Sequence, residues 1–269
     1  MEHFKLTLVD NFGSTMEHTH FHENYEIYFL LEGSRDFFIK NHTYKIQPQD
    51  LVFLSPKVIH KTIVRDDPYV KRYAMLIPKD FISTLAMKYD GNLFDCFRKS
   101  TPILHLDNLN YSHVTNLFEQ MHQEYDSDNT HKDFIISVLV TELLFYLNRF
   151  HTDEVVASDD YEKSLSRQII DFLVTNYKDS ISLEDISNHL YVNTFYICRI
   201  FKIETGFTVM EYLTYVRLRE AMHLLDTTNL SVTDISFTVG FNNINHFIRT
   251  FRKNLNTTPK QYQLKQKDL

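Results

Sequence analysis

The C-terminal part of the chain contains two related segments, Ser182-Leu-Glu-Asp-Ile-Ser187 and Ser231-Val-Thr-Asp-Ile-Ser236, at an offset of 49 residues. One inserted residue changes the offset to 50, and the similarity then continues. The matched pairs are Asn193 with Asn243, Arg199 with Arg249, Phe201 with Phe251, Lys202 with Arg252 and Thr208 with Thr258. An internal duplication of this size predicts two copies of one supersecondary unit.

Each copy has the residue pattern of a helix-turn-helix. Ser182 and Ser231 stand at expected N-cap positions, and acidic residues follow in the first turn of each predicted helix. In the first copy the apolar spacing predicts a helix over 183–190, a tight turn and a second helix over 194–204. A long helix over 209–225 is predicted to join the two copies.

The second helix of each copy is the predicted DNA-contacting element. In this motif it lies in the major groove, with its N-terminal residues facing base edges. Arginine can bind guanine through two hydrogen bonds and asparagine can bind adenine, while other basic side chains contact phosphates. The predicted DNA-binding residues are Thr194, Phe195, Tyr196, Cys198, Arg199, Lys202, Asn243, Ile244, Asn245, His246, Arg249, Arg252 and Lys253.

The charge of the chain is unevenly distributed. Its net charge of -7 does not favour a nucleic-acid ligand. Residues 1–160 hold 15 Lys+Arg and 24 Asp+Glu, whereas residues 161–269 hold 13 and 11. Because the second part is only mildly basic, the prediction depends on where its basic residues lie. The alternative is a helical bundle with solvated basic residues, which the duplication and its matched arginines disfavour.

Length and composition place further bounds on the protein. A chain of 269 residues exceeds the usual size of one core, so two domains are expected. Residues 1–20 have no signal-peptide pattern, and no run of 18 apolar residues occurs. Cys96 and Cys198 fit neither a disulfide nor a metal-binding pattern. A soluble, cytoplasmic protein without a membrane partner is therefore expected.

The N-terminal part has a different pattern. Residues 25–77 are rich in Tyr, Phe, Ile and Val between turn-like segments, which predicts a small antiparallel β-barrel or sandwich. Residues 111–125 and 131–150 have helical spacing. The fold class is thus α+β with several domains. The expected boundaries are 1–105 for the barrel, 106–152 for a helical segment, 153–161 for a linker and 162–269 for the all-α domain.

Residues 166–264 resemble the DNA-binding domain of the AraC/XylS family of transcription regulators. Leu255-Asn256 departs from the family pattern, which usually has an aromatic residue and a glycine there. The segments that carry the resemblance are Ser182-Leu-Glu-Asp-Ile-Ser, Arg199-Ile-Phe-Lys, Thr205-Gly206-Phe207-Thr208, Tyr212-Leu213, Val216-Arg217-Leu218, Ala221, Leu224-Leu225, Ile235-Ser236, Val239-Gly240-Phe241, His246-Phe247-Ile248-Arg249-Thr250-Phe251-Arg252 and Thr258-Pro259-Lys260-Gln261-Tyr262.

The resemblance implies several partners. They are double-stranded promoter DNA, RNA polymerase and a small-molecule effector held by the N-terminal domain, with carbohydrates as one suggested class. It also implies transcription activation and a homodimer formed through the helices of residues 106–152. The apolar faces of these helices can equally pack inside the monomer.

The N-terminal region also contains a cupin-like motif. His20, His22, Glu26 and Gly33 satisfy the spacing His-x-His-x3-Glu-x6-Gly of the first cupin motif. Residues two apart on a strand share a face, so the first three can point into the barrel. His60 can supply a fourth group. The favoured interpretation is an effector pocket of a cupin-like barrel, lined by His20, His22, Glu26, Tyr28, Tyr44 and His60.

Two alternatives remain for this cluster. One is a structural remnant that is hydrogen-bonded within the barrel. The other is a metal site of a cupin enzyme, with His20, His22, Glu26 and His60 as ligands. The second cupin motif is degraded, with Val58 in place of glycine and Val64 in place of asparagine, which disfavours the enzyme. The expected function is a transcription regulator with no enzyme activity and no cofactor; a regulator without a small-molecule effector is a further alternative.

Overall fold

A computed structural model describes residues 4–12, 22–64, 68–78, 81, 92–150 and 164–267, so His20 and the predicted linker lie outside the described residues. None of the helices in these ranges is long and apolar enough to cross a membrane. The strands are β1 (Lys5–Phe12), β2 (Tyr25–Gly33), β3 (Arg35–Ile39), β4 (His42–Ile46), β5 (Asp50–Leu54), β6 (His60–Ile63), β7 (Tyr69–Ile77) and β8 (Ile103–His105). The helices are α1 (Asn108–Tyr125), α2 (Lys132–Asn148), α3 (Leu165–Asn176), α4 (Leu183–Leu190), α5 (Thr194–Thr205), α6 (Val209–Thr227), α7 (Val232–Thr238), α8 (Ile244–Leu255) and α9 (Pro259–Lys267), with a 3₁₀ segment at Asn92–Phe97.

The N-terminal strands form two antiparallel sheets, in the orders β1-β7-β2-β5-β8 and β4-β3-β6. Within the described residues the two sheets are not closed into a barrel; they pack on each other, as the sandwich alternative anticipated, and the strands expected over residues 25–77 are present. The chain leaves the larger sheet at Gly33, where φ is +88° and a Cβ would lie 2.4 Å from the carbonyl oxygen of Tyr69. Strands β3, β4 and β6 have only four or five residues, too few pairing positions to join both edges of the larger sheet.

Both faces of the larger sheet are covered. Its inner face packs against the smaller sheet through Tyr28, Leu30, Phe37, Ile39, Ile46, Val52, Leu54 and Val70. On its outer face, Phe29 and Met75 share a core with α1 and α2. The predicted apolar face of α1, with Val114, Leu117, Phe118 and Met121, is buried there. The helices of residues 108–148 thus pack inside the monomer through one face, as the second interpretation of their apolar residues anticipated.

The C-terminal helices follow the predicted duplication closely. α4 and α5 form the first helix-turn-helix, α7 and α8 form the second, and the 19-residue α6 joins them. The Ser182 side chain accepts a hydrogen bond from the Asp185 backbone, and the Asp185 carboxylate accepts one from the Ser182 backbone. Ser231 caps α7 through the Asp234 backbone N–H. The local capping signals therefore fix where these helices begin.

The two turns differ in their strain. Tyr191 has a φ of +57° at the end of α4, whereas the second copy has Gly240 with a φ of +89°. A non-glycine residue in the left-handed region costs about 1–2 kcal/mol.

Tyr191→Gly is expected to raise the free energy of unfolding by about 1 kcal/mol, because the side chain is 95% exposed and little packing is lost. Urea unfolding monitored by circular dichroism measures it. Tyr196→Gly is the matched control and should destabilise the protein, because Tyr196 lies within α5, where glycine is unfavourable. A decrease in stability for Tyr191→Gly would contradict the strain argument.

The smaller sheet packs directly on the C-terminal helices. Phe38 and Ile59 belong to the same buried cluster as Phe207 and Tyr212, and the Phe38 and Phe207 ring centroids are 5.5 Å apart. The hydrogen bonds across the contact include those from Thr43 Oγ1 to the Glu204 carbonyl (2.7 Å), from Lys61 Nζ to the Gly206 carbonyl (2.8 Å) and from Tyr212 Oη to the Lys40 carbonyl (2.9 Å). The N-terminal domain thus holds the C-terminal end of α5.

Candidate nucleic-acid interface and ligand site

The second helices of the two copies, α5 and α8, are called the recognition helices below. Two buried apolar side chains anchor each helix in the core. They are Ile197 and Phe201 in α5, and Phe247 and Phe251 in α8. Because these residues fix the rotation of each helix, the opposite face is directed outward.

The N-terminus of each recognition helix is capped by an asparagine. Asn193 Oδ1 accepts a hydrogen bond from the Phe195 backbone N–H at 2.8 Å. Asn243 Oδ1 accepts from the backbone N–H groups of Asn245 (2.8 Å) and His246 (3.1 Å). The sequence pattern assigned Asn243 to DNA contact; its side-chain oxygen is engaged in this cap, which leaves its amide NH₂ group as the part suited to a base or phosphate.

Most of the predicted DNA-binding side chains lie on the outward faces. Arg199 and Arg249 occupy equivalent positions, six residues after their N-caps, and both are exposed. Thr194, Cys198 and Ile244 are half-buried, and Ile244 packs against the core of the helical domain. The exposed members of the predicted set are Phe195, Tyr196, Arg199, Lys202, Asn243, Asn245, His246, Arg249, Arg252 and Lys253.

The second copy borders a cavity of about 670 Å³ that includes residues missed by the sequence analysis. Asn242 and Ser180 line it beside Asn245 and Arg249. Arg217 also lines it and donates hydrogen bonds to the carbonyl oxygens of Tyr177 (2.8 Å) and Asp179 (2.7 Å). The position of Asn242 next to an N-cap was the available signal. Arg217 belongs to another helix, α6, and the sequence marked it only as part of the family resemblance, not as a site residue.

A second candidate site lies between the two N-terminal sheets. Glu26 is on the central strand β2, paired with Leu54 of β5 and Leu76 of β7, whereas His60 begins strand β6 of the smaller sheet. His22 precedes β2. His22 Nε2 lies 2.8 Å from Glu26 Oε2, and His60 Nε2 lies 3.3 Å from the same oxygen. These three residues form the His–Glu cluster, which brings together half of the predicted effector-site residues.

The two predicted tyrosines occupy different surroundings. Tyr28 is 1% exposed, and its ring contacts that of Phe37 at 5.1 Å between centroids. Phe37 also stacks on His60 at 6.2 Å, so it lies next to the cluster as well. Burial raises the pKa of Tyr28 to about 12. Tyr44 is half-buried on β4, with its ring 6.2 Å from that of His42.

The electrostatics of the His–Glu cluster keep Glu26 ionised. Burial opposes this by raising the pKa of Glu26, but hydrogen bonds and charges from His22 and His60 hold that pKa well below its ordinary range. For His22, burial lowers the pKa, but the hydrogen bond and charge of Glu26 outweigh it, and the pKa is raised. The cluster therefore presents a buried carboxylate to two imidazoles.

Two protein-family models match the chain. The AraC-like ligand binding domain matches residues 13–144, and a helix-turn-helix domain matches residues 186–265. The first match includes the His–Glu cluster, and the second includes both recognition helices.

Curated relatives give matches of different extent. The Msm operon regulatory protein of Streptococcus mutans serotype c is 24% identical over 258 residues, which are 94% of this chain and 87% of the relative. The Lactose operon transcription activator of Staphylococcus xylosus is 26% identical over 161 residues, 60% of this chain and 57% of the relative. Among solved structures, ToxT from Vibrio cholerae O395 is 14% identical, with 98% of each chain covered and a TM-score of 0.41.

Proposed function

Because this chain belongs to the AraC family of transcription regulators, we propose that it binds promoter DNA through both recognition helices and regulates transcription in response to a small molecule. The observation that carries this proposal is the equivalent, exposed placement of Arg199 and Arg249 on two helices whose opposite faces are buried. The relatives are regulators, which supports a regulatory rather than an enzymatic role.

The recognition helices are suited to two adjacent turns of DNA. α6, with 19 residues, is about 28 Å long, comparable with the roughly 34 Å of one DNA turn. In the proposed complex Arg199 and Arg249 read base edges, while Lys202, Arg252 and Lys253 bind phosphates. The remaining predicted residues, Thr194, Phe195, Tyr196, Cys198, Asn243, Ile244, Asn245 and His246, surround these contacts.

The target and its regulation follow from the relatives. The names of the lactose and melibiose operon regulators support a carbohydrate-utilisation operon as the target and a carbohydrate as a candidate effector. The name of the lactose relative also supports activation, which would involve contact with RNA polymerase. Since promoter DNA and polymerase are cytoplasmic in bacteria, we place the protein there. The proposed effector site is the N-terminal domain around the His–Glu cluster, including Tyr28 and Tyr44.

We also propose that the protein forms a homodimer through α2. The helix buries one face in the monomer, yet Phe134, Val138 and Phe145 on another face are 71%, 49% and 44% exposed. Val138 and Phe145 lie four and eleven residues after Phe134, so the three side chains form one apolar stripe along the helix. A second copy of the same helix would cover this apolar stripe.

The double variant Phe134→Ser with Val138→Ser is expected to weaken dimerisation about tenfold or more, because it removes two apolar anchors from the stripe. Analytical ultracentrifugation over a concentration series measures this. Leu264→Ser, which removes a half-exposed leucine from α9, is the control and should leave the association unchanged. A dimer of unaltered affinity in the double variant would place the interface elsewhere.

Selection of bound fragments from sheared genomic DNA tests the DNA-binding function. The full-length protein should enrich fragments that share two short motifs about one DNA turn apart, upstream of carbohydrate genes. Fragments recovered without any shared motif would contradict sequence-specific binding. Enrichment that no sugar or other metabolite alters would favour a regulator without a small-molecule effector.

A further inference from the structure

The imidazoles of the His–Glu cluster are held in one tautomer. His22 Nδ1 lies 2.8 Å from the carbonyl oxygen of Asn24, and His60 Nδ1 lies 2.9 Å from that of Val58. A carbonyl oxygen only accepts, so each Nδ1 carries the proton. In a neutral imidazole of this tautomer, Nε2 carries a lone pair. Both Nε2 atoms face the same carboxylate oxygen of Glu26, so a positive charge, carried either by protons or by a metal ion, must lie between them and the carboxylate.

The spacing of these atoms matches the ligands of a metal ion. Two ligand atoms bound at about 2.1 Å to one tetrahedral or octahedral ion lie about 3.0–3.4 Å apart. The two Nε2–Oε2 distances are 2.8 and 3.3 Å, and the three candidate ligand atoms all lie within 4.8 Å of one another. An Nδ1–H that donates to a backbone carbonyl is also the usual outer contact of a metal-bound histidine.

Because the His–Glu cluster is buried, only a small ligand can reach it without a rearrangement of the surrounding side chains. Glu26 is 2% exposed and His60 is 1% exposed, while Phe37 and Tyr28 pack beside them. An organic effector would need these side chains to separate before it could reach the carboxylate. A single ion is small enough to lie between the three ligand atoms without entry of an organic molecule.

We propose that His22, Glu26 and His60 bind one divalent first-row transition-metal ion. Two imidazole nitrogens and one carboxylate oxygen form a ligand set that suits Zn²⁺, Co²⁺, Ni²⁺ or Fe²⁺. This rests on the proposed function for the sensing role of the N-terminal domain, and it names a metal ion, in place of a carbohydrate, as the ligand of the cluster itself.

The ligands lie in two segments that also contact the DNA-binding domain. Glu23, adjacent to His22, accepts a hydrogen bond from Tyr262 Oη at 3.1 Å. The Lys57 backbone donates to the His22 carbonyl at 2.9 Å, and the Lys57 side chain forms an ion pair with Asp226 of α6. An ion that ties His22 to His60 therefore fixes both segments against the C-terminal helices.

Titration of the chelator-treated full-length protein with Co²⁺ at pH 7.5 tests the site. The expected result is binding of one equivalent, with a visible absorption spectrum distinct from that of aquated Co²⁺, and displacement of the Co²⁺ by Zn²⁺. Glu26→Gln and His60→Gln should each weaken the binding about tenfold to hundredfold or more. Circular dichroism establishes whether each variant is folded. The titration of the wild-type protein tests the site even if a variant does not fold.

His105→Gln is the matched control. His105 also pairs with a buried carboxylate, since its Nδ1 lies 2.7 Å from Asp50 Oδ1, but it lies outside the His–Glu cluster, so binding should be retained. No binding by the folded wild-type protein would overturn the proposal. Undiminished binding by Glu26→Gln and His60→Gln would overturn it equally. DNA binding measured on the same samples separates these outcomes from a failure of the proposed regulatory function.

Discussion

Replacing both Arg199 and Arg249 by alanine is expected to lower the affinity for a specific promoter site by about 2–6 kcal/mol, since each base contact contributes about 1–3 kcal/mol. Both side chains are exposed on the outward faces of the recognition helices, and the buried anchors of those helices are unaffected. The variant should therefore remain folded. Because the two helices belong to separate copies, the two losses should be nearly additive.

Fluorescence anisotropy on specific and scrambled duplexes distinguishes base contacts from phosphate contacts. The double variant should lose affinity mainly for the specific duplex. Lys260→Ala, which removes a charge from an exposed residue of α9, is the control for the change in net charge and should retain specificity. An equal loss on both duplexes would mean that the arginines bind phosphates.

Gly240→Ala is expected to lower the free energy of unfolding by about 2–4 kcal/mol, through left-handed strain and overpacking together. Its φ is +89°, and a Cβ would lie 2.6 Å from the Tyr177 carbonyl oxygen and 2.8 Å from that of Lys178. Both are backbone atoms, and Arg217 holds the same segment by hydrogen bonds to the Tyr177 and Asp179 carbonyl oxygens. A shift of these carbonyl groups away from the added Cβ would therefore strain the hydrogen bonds from Arg217.

Urea unfolding of Gly240→Ala and Gly206→Ala side by side provides the comparison. Gly206 also has a positive φ, +75°, but a Cβ there would meet the flexible side chains of Lys61 and Ile63 at 3.0 and 3.2 Å. Its replacement should cost less, about 1–2 kcal/mol. A Gly240→Ala variant as stable as the wild type would show that the turn can relax.

The sequence predicts the helical domain well because the signals there are local. Capping residues such as Ser182 and apolar residues such as Ile186 and Ile197 lie within the elements that they define. The sequence did not decide between a barrel and a sandwich, because the pairing of the strands depends on partners far apart in the chain. The pairing of β3 with β6, for example, sets Asp36 opposite Ile63, and no local pattern specifies it.

The candidate sites were predictable to different degrees. Helical periodicity anticipated the exposure of Arg199 and Arg249, but the capping role of Asn243 was not separable from base contact, since one amide serves both. The His-x3-Glu spacing anticipated His22 beside Glu26. The contact between Lys61 and the Gly206 carbonyl joins residues 145 positions apart, and only the tertiary structure reveals it.

The most direct test of the account is fluorescence anisotropy of the full-length protein on duplex DNA from upstream of its own gene and neighbouring operons, compared with scrambled duplex across a salt series. Salt-sensitive binding with a preference of about a thousandfold or more for one native duplex is the expected result. Folded protein that binds native and scrambled duplexes equally, with and without candidate effectors, would contradict sequence-specific regulation.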